Sequence, residues 1–230
     1  MALGIFKSSL IKKYWMAATG LFLIMFLIVH AGINAMIFFN DGGATFNEWG
    51  HFMGTNLIVR TMEIGLFIGF IVHIVDGLTL YFQNRKARPV KYAYEKASAS
   101  SQWYSRSMAL LGTIILIFLI VHLAHFWVKT RITGLSEGIS DVVIEGKLRE
   151  NLFAEMVLVF KHEWVVVLYV LGCVSLFWHL LHGFKSAFQS MGWSHSKYKN
   201  EIALLGDAFS VIIPALFAAM PIAMYFGLVR

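Results

Sequence analysis

Apolar residues run along this chain in five long blocks separated by shorter polar stretches. They fall at roughly Tyr14–Phe39, Leu57–Phe82, Arg106–Val128, Glu163–Gln189 and Ala208–Leu228. Each block is long enough to cross a bilayer, which takes about 20 residues. Lipid offers no partner to a backbone amide, so the pattern predicts five helices, an all-α membrane protein whose transmembrane helices form a bundle. The first block is too long for a cleaved leader and lacks a small-residue cleavage site. Pro214 and Pro221 predict a kink in the fifth helix. The connection from Lys129 to His162 is long, and its stretch "GKLRENLFAEMVLVF" is amphipathic enough to be expected along the membrane surface. No internal repeat divides the chain, so residues 1–230 read as a single transmembrane domain.

Composition agrees with this pattern and then adds an orientation. Hydrophobic residues make up 58% of the chain and charged ones 14%, against about a quarter charged in ordinary soluble domains. Of the 19 basic residues, 12 lie in three places: Lys7, Lys12 and Lys13 before the first block, Arg85 to Arg106 between the second and third, and Lys185, Lys197 and Lys199 between the fourth and fifth. Basic residues gather on the inner face, so the N-terminus is expected in the cytoplasm and the C-terminus outside. The net charge of +6 is accounted for by that face, which suits anionic lipid or a soluble partner and implies no nucleic-acid site. The single cysteine, Cys173, lies within a block, so neither a disulfide framework nor a cysteine-held metal cluster is expected.

Nine histidines occur, and six lie inside the blocks: His30, His73, His122, His125, His179 and His182. Helical rise converts position into depth. His30 and His122 come 15 and 16 residues after Trp15 and Arg106, roughly 22–24 Å from the inner edge of a core about 30 Å thick. His73 and His179 come 16 and 15 residues after Leu57 and Trp164 on helices running the other way, roughly 22–24 Å from the outer edge. Four helices thus supply one histidine each, matched in depth two by two. Such pairs suit a metal-centred group held between imidazoles. A haem iron with two axial histidines has no open position, which favours electron transfer over oxygen chemistry. The two irons would lie roughly 15 Å apart.

His125 and His182 each follow a ligand candidate by three residues, on the same helix face and about one turn nearer the headgroups. They are expected at a haem edge or propionate, leaving His122 and His179 as the better ligands. Lys185, Arg85 and Arg88 are further inner propionate candidates, and Arg60 and Lys129 outer ones; snorkelling to the headgroups explains any one of them equally well. Gly20, Gly65, Gly69, Gly112 and Gly183 would admit a flat macrocycle or simply another helix. Glu63, near Arg60, could exchange quinol protons or form a local ion pair.

The segments "FLIVHAGIN" (26–34), "FNEWGHFM" (46–53), "HIVDG" (73–77), "LIFLIVHLAHFW" (116–127), "HLLHG" (179–183) and "MGW" (191–193) together resemble the cytochrome b subunit of succinate dehydrogenase/fumarate reductase, the five-helix, two-haem kind. The resemblance covers nearly the whole chain and implies a di-haem domain of the bacterial inner membrane. It implies that His73 and His179 bind the inner b haem and that His30 and His122 bind the outer one. It also implies flavoprotein and iron–sulfur partner subunits on the cytoplasmic face, and a quinone, often menaquinone, reacting near a haem. Some relatives carry a carboxylate two residues before the fourth-helix ligand, linked to proton transfer; here that residue is Phe177. On its own the chain has neither a flavin site nor iron–sulfur ligands, so it would not oxidise succinate alone. The alternatives are an anchor for another quinone-linked dehydrogenase, or a transporter using histidines as relays or metal ligands. A transporter would gather its histidines at one level, usually with carboxylates.

Overall fold

The computed structural model describes residues 9–87 and 102–229. Lys7, Arg88, Lys91 and Lys96 of the basic segments lie outside those residues. In chain order the elements are α1 (Ser9–Ala35), extended by a tight turn at Met36–Phe39; α2 (Ala44–Thr55); α3 (Leu57–Lys86); the one-turn α4 (Trp103–Arg106); α5 (Met108–His122); strands β1 (Val142–Ile144) and β2 (Lys147–Arg149); α6 (Leu152–Val159); α7 (Glu163–Ser190); and α8 (Lys199–Tyr225).

Five helices are long and apolar enough to cross a membrane: Leu10–Phe39, Leu57–Lys86, Met108–Thr133, Glu163–Ser190 and Lys199–Tyr225. Along the middle of these spans the exposed side chains are largely apolar. On α3, Ile64, Ile68, Ile71, Val75, Leu78 and Phe82 recur at steps of three and four and are all exposed. In water such a stripe would be a costly apolar patch, whereas against acyl chains it is the expected outer surface. The fifth span begins nine residues before the expected Ala208. Its first two turns, "KNEIALLGD", are polar enough to hide the helix from an apolar count. Both Pro214 and Pro221 lie inside α8.

The chain forms two compact units, and each long helix contributes a part to both. The first consists of the described residues within 1–26, 65–113 and 175–211. In it the one-turn α4 leans on α7: Trp103 and Tyr104 pack against Trp178 at 4.7 and 5.5 Å between ring centroids. The buried Ser175 hydroxyl donates to the Leu111 carbonyl at 2.9 Å, tying α7 to α5.

The second unit consists of the described residues within 27–64, 114–174 and 212–229. Its core gathers Ile37, Phe46, Phe153, Met156, Phe160, Val165, Tyr169, Met220 and Met224. Asn47, 2% exposed, accepts from the Phe153 amide at 2.9 Å and donates to Asn151, whose side chain caps α6 through the Ala154 amide. Two linked asparagine side chains thus satisfy one orphan amide each at this helix start.

This unit corrects the expectation for "GKLRENLFAEMVLVF". The segment is no continuous surface helix: β1 and β2 pair antiparallel, with Val143 opposite Leu148. The turn between them puts Glu145 and Gly146 at φ 51° and 74°, the two positive values that a two-residue hairpin turn requires. Only the part from Leu152 is helical, and α6 is buried through Phe153, Glu155, Met156 and Val159.

Candidate functional site

Within the first unit, α3 and α7 bring His73 and His179 face to edge, 6.2 Å between ring centroids. Within the second, α1 and α5 bring His30 and His122 to 5.8 Å with their planes at 89°. The pairs that meet are the ones depth singles out. Imidazole nitrogens sit about 2 Å from a metal, so two rings on opposite sides of one ion have centroids about 6 Å apart. Both observed separations match that spacing.

His122 Nδ1 and His179 Nδ1 are buried with no hydrogen-bond partner. An unsatisfied buried nitrogen costs about 1–3 kcal/mol, so a hydrogen-bond donor or ligand reaching either one would be stabilising. The partner ring of each pair is anchored: Thr19 Oγ1 lies 3.3 Å from His73 Nδ1, and the Asn34 amide, which donates to the His30 carbonyl at 2.8 Å, lies 3.4 Å from His30 Nδ1.

Among the described residues, no group of three or more His, Cys, Asp or Glu could hold a metal ion. Each level therefore offers two imidazoles only. A structural zinc ion takes four protein ligands and a catalytic one three, so a bare ion would be left short. A metal that arrives with its own equatorial ligands, as in haem, needs just two. The glycines divide accordingly. A Cβ on Gly20 or Gly112 would come to 3.5 or 3.7 Å from the imidazoles of His73 and His179, one on Gly65 or Gly183 would meet nothing within 4 Å, and Gly69 packs against Phe22.

The second histidine of each His-x-x-His is held by a hydroxyl from another helix. His182 Nδ1 lies 2.6 Å from Ser105 Oγ on α4. His125 Nδ1 lies 3.1 Å from the Tyr169 hydroxyl on α7. Tyr169 is 5% exposed and borders Phe118, His122, His125 and Phe160, at 5.0 to 6.0 Å between centroids. After His122 the helix widens into π-helical turns at Leu123–Trp127 and Lys129–Thr133, a departure that recurs at functional sites.

The remaining predicted site residues have protein partners. Lys185 pairs with Asp207 at 2.6 Å, both partly exposed, and Arg85 donates to the Tyr81 hydroxyl at 3.2 Å. Lys129 is drawn to Glu155 at 2.5 Å and also bonds the Ser136 hydroxyl. Arg60 and Glu63 do form the local ion pair, at 2.5 Å. Glu63 also accepts from Trp127 Nε1 at 2.7 Å and faces Arg131 Nη2 at 3.5 Å. Trp127, Arg131, Thr19, Ser105 and Tyr169 were not singled out from sequence. For Thr19 and Tyr169 the available signal was a lone hydroxyl within an apolar helix.

Comparison with known proteins matches the chain to no family model, no curated protein and no solved structure.

Proposed function

We propose that the chain is the membrane-anchoring cytochrome b of a quinone-linked oxidoreductase, of the succinate dehydrogenase/fumarate reductase type that its motifs resemble. One observation carries the reading: two separate imidazole pairs, at 6.2 and 5.8 Å, with no group of three or more His, Cys, Asp or Glu among the described residues that could hold a bare metal ion. In this reading His73 and His179 hold one b haem, and His30 and His122 the other. Bound haem supplies reversible one-electron transfer, and two axial histidines close the iron to other ligands.

The protein's own groups supply the rest. His182 and His125, set by Ser105 and Tyr169, present imidazole edges toward the haem peripheries. A Cβ on Gly65 or Gly183 would meet nothing within 4 Å, so neither position obstructs an approaching ring. Glu63, flanked by Arg60 and Arg131, is a carboxylate able to accept a quinol proton, with menaquinone the quinone that the resemblance suggests. Basic residues toward the inner ends, such as Lys185, Lys197 and Lys199, support a cytoplasmic N-terminus and docking of an iron–sulfur subunit that bridges to a flavoprotein. The membrane would then be the bacterial inner membrane, with anionic lipid around the basic face.

Pyridine haemochrome analysis of the purified complex tests the reading. Two b haems per chain are expected, and one or none defeats it. A colourless, haem-free protein would favour the transporter alternative. Co-purifying subunits of a different dehydrogenase would instead identify another quinone-linked complex.

A further inference from the structure

The hydroxyl of Thr19 has one proton, and its position shows where that proton goes. Thr19 Oγ1 lies 2.8 Å from the Trp15 carbonyl and 3.2 Å from the Met16 carbonyl, in the back-bonding geometry common for threonine inside a membrane helix. A carbonyl can only accept, so the proton is committed to the backbone. Toward His73 Nδ1, 3.3 Å away, Thr19 has only a lone pair to offer. With the Thr19 proton directed to the backbone, its lone pair can accept from His73, and the Met16 carbonyl is a second acceptor beside the same ring; both contacts favour Nδ1 carrying the proton and Nε2 keeping the free lone pair.

We propose that Thr19 is a positioning residue that fixes the tautomer of His73, turning Nε2 into the metal-facing nitrogen and raising its donor strength. This rests on the di-haem reading for its redox consequence but not for the tautomer. A ligating imidazole that gives its other N–H to an acceptor becomes a more basic ligand, and a more basic ligand favours the oxidised iron. The inner haem should thus have a lower midpoint potential than it would without Thr19. The arrangement is specific to one ring of the pair, because His179 Nδ1 has no such acceptor.

The test uses Thr19→Val, which keeps the β-branched shape and removes the side-chain acceptor while the Met16 carbonyl stays, and Thr19→Ser, which restores a hydroxyl. Spectral redox titration of the complete complex reads the potentials. Thr19→Val should keep both haems and raise the midpoint of the haem that His73→Ala removes, by an order of tenfold in the reduction equilibrium, about 59 mV for one electron. The other haem should not move, and Thr19→Ser should return the wild-type value. A residue that merely packs would alter thermal stability and leave both potentials unchanged; that result overturns the proposal. A second arm needs no haem. In protein labelled with 15N in the histidine rings and made without haem, the signal absent from His73→Asn should report the Nδ1-protonated form in wild type and shift in Thr19→Val. An Nε2-protonated His73 overturns the proposal whatever the haem count, and a haem count below two overturns the di-haem reading whatever the tautomer.

Discussion

The Tyr169 hydroxyl lies 3.1 Å from His125 Nδ1, and the two rings stack with 5.9 Å between centroids and 12° between planes. Tyr169 also borders His122 at 6.0 Å, so one buried phenol lies beside both His122 and His125. That places the two in different roles. His122 Nδ1 is buried without a hydrogen-bond partner, whereas His125 Nδ1 has the Tyr169 hydroxyl.

Losing a ligand empties or opens an iron site, whereas losing a peripheral hydrogen bond costs about 1–3 kcal/mol. His125→Ala, Tyr169→Phe and His182→Ala should therefore retain both haems with displaced midpoint potentials. His122→Ala and His179→Ala should each lose one haem or convert it to high-spin. Spectra of the five variants in the assembled complex check this; loss of the inner haem from His182→Ala with retention in His179→Ala would exchange the assigned roles.

Glu155, 1% exposed, is held by Lys129 and by the Ser136 amide and hydroxyl. Lys129→Met removes the only cation bonded to that carboxylate among the described residues and leaves it the two Ser136 bonds; breaking a buried ion pair costs up to about 3–5 kcal/mol. The melting temperature should drop accordingly, and more than for Lys185→Met, whose partner Asp207 is largely exposed.

The same carboxylate predicts an acid sensitivity. Burial acts to raise its pKa, but the hydrogen bonds from Lys129 and Ser136 prevail and hold it below the ordinary 4.5. A group with a depressed folded pKa contributes stability that is fully present above the unfolded value and is lost as pH falls through the folded one. Thermal stability should decline as the medium is acidified below 4.5, the ordinary value, and Glu155→Gln should flatten that part of the profile. An unchanged slope in the variant would assign the acid sensitivity elsewhere.

Gly42 and Gly43 have φ of 71° and 79°, yet only Gly43 faces the Phe153 side chain so closely that a Cβ has no room. An alanine at either position meets backbone strain of about 1–3 kcal/mol. Gly43→Ala adds overlap with a core ring, so its melting temperature should fall clearly below that of Gly42→Ala.

Glu63→Gln keeps the hydrogen-bonding shape but removes the proton-accepting charge. Both haems should remain and reduce normally with dithionite, while quinol-linked turnover of the complex falls. Turnover equal to wild type would leave Glu63 as a local ion-pair member with Arg60 and Arg131.

Much of this was legible in the sequence because the membrane makes it so. Long apolar blocks mark helices wherever lipid forbids other backbone, and helical rise alone brings His73 level with His179 and His30 level with His122. What was not legible depends on contacts across distant sequence. Thr19 reaches His73, Ser105 reaches His182 and Tyr169 reaches His125 across 54, 77 and 44 residues, and no local pattern pairs a hydroxyl with a remote ring. The β1–β2 hairpin was hidden for a local reason. Its turn uses Glu145 where Asn or Asp usually signals positive φ, and the flanking residues also fit an amphipathic helix. Polar opening turns likewise concealed the start of α8.

In the proposed function, four histidines hold two haems in the pairs His73–His179 and His30–His122. The most direct measurement is a haem-resolved spectral redox titration of the four single alanine variants beside wild type, in the assembled complex. Two b-type components are expected in wild type. His73→Ala and His179→Ala should lose the same one, and His30→Ala and His122→Ala the other. A wild-type protein with fewer than two components, or losses that couple His73 with His30 or His122, would contradict the account.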